Sequence, residues 1–132
     1  MGPRIVICGG PKTGKTTLAG KVAHRIRARE VRHTDELIGV LPWSEDSEEV
    51  ARWFSIPGPW IVEGVAAVRA LRKWLASHPE GAPCDLVCWL SEPKVPRTPG
   101  QERLAKGTAT VWAGTEQGLR NRGVIIVENG EL

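Results

Sequence analysis

Short, unbroken apolar runs alternate along this chain with longer stretches in which apolar positions return every three or four residues. The runs occupy residues 4–8, 60–63, 85–90 and 124–127, with a briefer one over 30–34 that ends at Asp35. Continuous rather than alternating hydrophobicity predicts strands buried on both faces. The periodic stretches predict helices. Leu18, Val22 and Ile26 recur at four-residue spacing with Lys21, Arg25 and Arg29 around them, an amphipathic helix over about 14–28. Residues 44–54 open with Ser44, Glu45 and Asp46, favourable at a helix start, and then place Val50, Trp53 and Phe54 on one side. Residues 64–77 carry Val68, Leu71 and Leu75 on one face and stop before Pro79 and Gly81. The last helix has the fullest signals. Thr98 with Gln101 forms a capping box, Pro99 takes the first helical position, and Gly123 supplies the stop. Its stripe is Leu104, Thr108, Val111, Trp112, Thr115 and Leu119, weakened by roughly 1 kcal/mol at each of Gly107, Gly114 and Gly118.

Five short strands separated by helices predict an α/β fold, a three-layer αβα arrangement with a five-stranded parallel sheet. Ligands in such sheets sit at the carboxyl ends of the strands. The positions just past each strand are therefore the candidates: Gly9 to Thr16, Asp35, Glu63, Lys94 to Arg97, and Asn129. At 132 residues a single domain is expected over 1–132.

Net charge is +3, which suits an anionic ligand without by itself marking a nucleic-acid binder. No apolar run approaches the roughly 18 residues of a membrane span. The first run leads straight into a glycine-rich loop, so it reads as part of the fold and not as a signal peptide. Cys8, Cys84 and Cys88 lack zinc-site spacing and read as buried thiols of a cytoplasmic protein. Six Trp against one Phe and no Tyr is unusual, and packing explains them better than base stacking.

The chemistry begins at Gly9-Gly10-Pro11-Lys12-Thr13-Gly14-Lys15-Thr16, which fits G-x-x-x-x-G-K-[ST] between a strand and a helix. Backbone N–H groups and the positive helix end bind phosphate there. Lys15 is expected to reach the β and γ phosphates of ATP, and the Thr16 hydroxyl to ligate Mg²⁺. Thr17 caps, packs or touches the α phosphate. Asp35 suits a base toward an attacking hydroxyl or a metal holder through water, and Glu36 beside it reads as solvated. Glu63 closes an apolar strand in the Walker B manner, for a metal-bound water or the acceptor. The segment 91–103 brings Lys94, Arg97 and Arg103, any of which could offset charge on a transferring phosphoryl group. Arg69 and Arg72 either hold an acceptor phosphate or face water. Residues 98–103 look like a GTPase switch, but Arg97 stands where those proteins carry an acid, and no N/T-K-x-D motif is present.

With these motifs the chain resembles the adenylate-kinase-like P-loop kinases, which include shikimate, nucleoside and polynucleotide 5′-kinases. The loop over 7–17 looks like their opening, Thr34-Asp35-Glu36-Leu37 like their acidic acceptor motif, and Val62-Glu63-Gly64 like the end of their third strand. The resemblance implies the sheet order 2-3-1-4-5, an acceptor-side segment over 36–59, a short lid over 91–103, and phosphoryl transfer from ATP-Mg²⁺. Lys12 stands where adenylate kinase's own loop has Gly, and the lid is a loop and not a domain, which sets this chain apart from adenylate kinase itself. The leading expectation is a kinase of a nucleoside, nucleotide or other small hydroxyl compound, with Lys15, Asp35 and Arg97 or Arg103 as the reacting constellation. Two others remain. A polynucleotide 5′-hydroxyl kinase could recruit nucleic acid through the basic run 24–32, and an ATP-binding or ATPase module would need no small acceptor.

Overall fold

A computed structural model describes residues 2–37 and 40–129, with Trp43 and Ser44 described by backbone alone. The elements are β1 (Arg4–Gly9), α1 (Lys15–Ile26), β2 (Glu30–His33), a 3₁₀ turn (Thr34–Leu37), α2 (Trp43–Trp53), β3 (Trp60–Glu63), α3 (Ala67–Ser77), β4 (Leu86–Leu90), α4 (Pro99–Asn121) and β5 (Ile125–Glu128). All five strands run parallel, as the unbroken apolar runs predict, in the order β2-β3-β1-β4-β5 that the family resemblance implies. Residues 38–39, within the 36–59 segment expected on the acceptor side, and 130–132 lie outside the described residues.

The continuous hydrophobicity of the strands is used on both faces. Ile5 and Ile7 of β1 point to one side with Ile61, Cys88 and Leu90, where Ala19 and Val22 of α1 cover them. Val6 and Cys8 point to the other side with Val62, Val87 and Trp89, beneath Phe54, Leu71, Trp112 and Leu119. Burying a Val, Leu or Ile side chain of this kind is worth about 1.5–3 kcal/mol. Trp53, Trp60, Trp74, Trp89 and Trp112 are all buried, and Trp89 stacks on Trp112 at 5.1 Å between ring centres, which joins β4 to α4. The side chain of Trp43 lies outside the described residues. The three cysteines are buried and none is in a disulfide, and burial raises the pKa of Cys8 and Cys84. Among the described residues no helix is long and apolar enough to cross a membrane.

Helix α4 follows its sequence signals closely. Thr98 Oγ1 accepts from the Gln101 N–H at 3.2 Å, and Gln101 Oε1 accepts from the Thr98 N–H at 2.9 Å. At its other end, Gly123 N–H donates to Arg120 O and Val124 N–H to Leu119 O, a Schellman stop. Twenty-three residues make this helix about 34 Å long, whereas strands of four to six residues reach only about 13–20 Å. Its first turns therefore overhang the sheet, and Ala105 comes to lie over Gly10 of the loop.

Glycine is obligatory just past β3. Gly64 has φ +144°, and a Cβ there would meet Thr34 Oγ1 at 1.7 Å. Gly64→Ala is expected to cost about 2–4 kcal/mol, left-handed strain plus overpacking. Gly114, exposed in mid-helix with nothing within 4 Å of an added Cβ, is the opposite case: Gly114→Ala should stabilise by about 0.5–1 kcal/mol. Urea midpoints of the two variants check both signs.

Candidate active site

The loop after β1 is shaped by its own residues. Gly14 caps α1 at φ +86°, a left-handed conformation that glycine takes without strain. Lys12 is left-handed too, at φ +65°, which costs a residue with a side chain about 1–2 kcal/mol. That preference explains how the position can be Gly in a related loop. Lys15 is only 8% exposed, and its Nζ donates to Gly10 O at 2.6 Å and to Thr13 Oγ1 at 3.3 Å. Burial pushes its pKa below the ordinary lysine value, while the charges of Glu63 and Asp35 pull it back. The loop thus holds an ammonium group ready for an anion and two carboxylates close to it.

The three strands on one side of the sheet end together. The register sets His33 of β2, Glu63 of β3 and Ile7 of β1 abreast. Side chains at one level of adjacent parallel strands share a face, and here two of them meet: His33 Nδ1 lies 2.6 Å from Glu63 Oε1. The same carboxylate oxygen accepts the Thr16 hydroxyl at 3.3 Å. Glu63 is buried, at 1% exposure. Thr34 and Asp35 follow on the 3₁₀ turn, which carries Asp35 to the mouth of the loop. A cavity of about 190 Å³ is lined by Lys12 to Thr17, Asp35 and Glu63.

The segment after β4 lies on this loop. Lys94 N–H donates to Lys12 O at 2.7 Å, and Arg97 Nε donates to Pro11 O at 2.7 Å, so two successive carbonyls of the loop are held. The Arg97 side chain is 7% exposed and its charge is felt at Lys15, which it disfavours. Arg103, by contrast, is exposed on α4 with its guanidinium beside Gly100, and the structure does not bring it to the cavity. On the other side of Lys94 a second cavity of about 460 Å³ is lined by Thr17, Lys21, Leu90 and Asn129 among others. The Asn129 carboxamide oxygen accepts from Ser91 N–H and Oγ, which leaves its NH₂ as the free end of the group. Arg69 donates to Thr108 Oγ1 at 3.3 Å and ties α3 to α4, while Arg72 is exposed.

The basic run 24–32 falls elsewhere. Helix α1 starts at the carboxyl edge of the sheet and ends at the opposite edge, where β2 begins with Glu30 abreast of Trp60. Arg25, Arg27 and Arg29 are therefore at the far end of the molecule from the phosphate loop.

Two residues escaped the sequence reading. The strand-end pattern points to Asp35 and not to His33, although the register sets His33 level with Glu63. Asp46 was read as a helix-start acid, but it is 1% exposed, and its Oδ1 has no hydrogen-bond partner among the described residues. Burial raises its pKa, and the charge of Asp35 adds to the effect. No sequence signal separates it from Glu45 beside it.

Comparison with solved structures gives two close matches in fold. Shikimate kinase from Acinetobacter baumannii, in complex with shikimate, superposes with a TM-score of 0.58, at 14% identity over 96% of this chain and 83% of that one. The fold is that of the P-loop kinases. Shikimate kinase from Aquifex aeolicus gives 0.57, at 12% identity over 98% and 88% of the two chains. No protein-family model and no curated protein sequence matches the chain.

The residues at the loop mouth suit Mg²⁺. A hydroxyl and two carboxylates are hard oxygen donors, and no group of three or more metal-binding side chains occurs among the described residues. Mg²⁺ characteristically takes such a sparse protein set and completes its shell with water and phosphate.

The buried Asp46 makes a stability prediction. A carboxyl whose folded pKa is raised contributes stability below its unfolded value and loses it as pH rises through the folded value. Asp46→Asn should therefore be more stable than the parent at pH 7, by about 1 kcal/mol. The difference should vanish below the ordinary aspartate pKa of 3.8. Urea unfolding at the two pH values reads it directly.

Proposed function

We propose that this protein is an ATP-dependent phosphotransferase that moves the γ-phosphate of ATP-Mg²⁺ to a hydroxyl of a small acceptor. The observation that carries the proposal is the single cavity in which the loop Lys12 to Thr17, Asp35 and Glu63 converge from three strand ends. Gly9 to Thr17 wrap the phosphates, with Lys15 on the β and γ groups. Thr16, with Glu63 and Asp35, would hold Mg²⁺, which would supply charge neutralisation to the phosphate oxygens. Asp35, exposed at the mouth of the cavity, accepts the proton of the attacking hydroxyl. Arg97 offers positive charge from the lid side, and Arg103 stands further out on the same segment. The 460 Å³ cavity beside Lys94 and Asn129 takes the base of the nucleotide.

The acceptor side favours a hydroxyl compound over a phosphorylated one. Asp35, Glu36, Glu45, Asp46, Glu48 and Glu49 crowd the 3₁₀ turn and α2, while the nearby Arg32 and Arg52 are engaged by Glu30 and Glu49. A nucleoside or an uncharged polyol meets less of an electrostatic obstacle there than a second nucleotide does.

Transfer of label from γ-labelled ATP, with Mg²⁺, tests the proposal against four acceptor pools: nucleosides, nucleoside monophosphates, small polyols including shikimate, and 5′-hydroxyl oligonucleotides. Label is expected on the nucleoside or polyol pool and lost with Lys15→Ala. Label found only as free phosphate would contradict the proposal and favour an ATPase module. Within the active pool, Asp35→Asn should lower kcat by about 10²–10⁴-fold with ATP binding intact. Arg97→Ala should cost at least tenfold in kcat, whereas Arg103→Ala should stay within about threefold.

A further inference from the structure

The pair at the ends of β2 and β3 carries an inference of its own, resting on the assignment of the loop as a nucleotide site. Glu63 is almost fully buried, and its Oε1 is shared by two donors, His33 Nδ1 at 2.6 Å and Thr16 Oγ1 at 3.3 Å. Opposite a carboxylate, a ring nitrogen at that distance serves as the donor, so Nδ1 carries a proton. The shorter contact is the one to histidine. Both contacts fall on the same oxygen, so the imidazole and the hydroxyl are linked through it. The backbone reinforces the arrangement. Gly64 N–H donates to Ile7 O at 3.2 Å, and the side chain of Thr34 lies over Gly64, so neither strand end can slide past the other.

We infer that His33 is a positioning residue for the Mg²⁺–nucleotide complex: it fixes the rotamer of Glu63, and through Glu63 the orientation of the Thr16 hydroxyl. His33 itself touches neither phosphate nor acceptor in this role. Partners of this kind, one bond removed from a metal's own ligands, characteristically affect metal affinity by about 10–100-fold. The consequence is specific. Loss of the imidazole donor should weaken the binding of ATP chiefly when Mg²⁺ accompanies it, because the charge of Glu63 stays beside Lys15 and the contacts of Lys15 with Gly10 and Thr13 do not pass through His33.

The test uses the whole chain and measures ATP affinity by isothermal titration calorimetry, once with excess Mg²⁺ and once with EDTA. His33→Asn keeps an N–H donor near the Nδ1 position, and His33→Leu removes it at similar volume. The expected result is a loss of about tenfold for His33→Leu in Mg²⁺, a change within twofold in EDTA, and recovery to within threefold of the parent for His33→Asn. Equal affinities for His33→Leu and the parent in Mg²⁺ would overturn the inference. So would an equal loss with and without Mg²⁺, which would mark a purely structural role. Where His33→Leu fails to fold, His33→Gln takes its place, since its donor sits too far out to reach Glu63 from the same backbone position. Its Mg²⁺-specific loss supports the inference, and parent-like binding overturns it. The readout is binding, so a failure of label transfer to every acceptor leaves this result standing and counts only against the kinase proposal.

Discussion

A buried carboxylate with too few partners is among the most destabilising features a small protein can carry, and the effective penalty runs to several kcal/mol. Glu63 avoids it because three residues from two separate parts of the chain come to meet it. His33 arrives at the end of β2, Thr16 at the start of α1, and the ammonium of Lys15 lies close enough for its charge to be felt. The parallel register that places β2, β3 and β1 with their ends level is thus a condition for the site as well as for the core. The same acid that would be costly alone is what locks the loop to the sheet.

From that joint the rest of the site follows by geometry. The loop must turn through left-handed positions at Lys12 and Gly14 to reach α1, and doing so presents the carbonyls of Pro11 and Lys12 outward. Those carbonyls are taken by the segment after β4, through Arg97 and the Lys94 N–H. The segment after β4 is therefore tethered to the loop on which it lies. Helix α4 gives that tether its leverage, because its capped first turns run past the sheet edge and sit over Gly10.

Much of this was legible in the sequence, for identifiable reasons. The strands announced themselves because each is buried on both faces, so their hydrophobicity is unbroken. The last helix was plain because Thr98, Gln101 and Gly123 act locally, through bonds within a few residues. The phosphate loop was plain because its glycines answer to backbone geometry and its Lys15 and Thr16 to chemistry. His33 and Asp46 were not legible, since what matters at each is a contact or an enclosure set by another element. Arg97 and Arg103 looked equivalent in a Pro-rich segment, and only the path of the chain over the loop distinguishes the one that reaches Pro11 from the one that faces out. The basic run 24–32 could be recruited by a nucleic-acid strand on sequence grounds, and the direction of α1 carries it to the opposite edge of the sheet.

The central claim is that Lys15, Thr16, Glu63 and Asp35 form one site for the terminal phosphate of ATP and its Mg²⁺. A crystal structure with Mg²⁺ and a non-hydrolysable ATP analogue tests it most directly. The expected result has the γ-phosphate within hydrogen-bond distance of Lys15 Nζ, the metal bonded to Thr16 Oγ1 with Glu63 one water away, and the open face of the phosphate turned toward Asp35. An analogue whose triphosphate lies outside the Gly9 to Thr17 loop, or a metal held without Thr16, would contradict it.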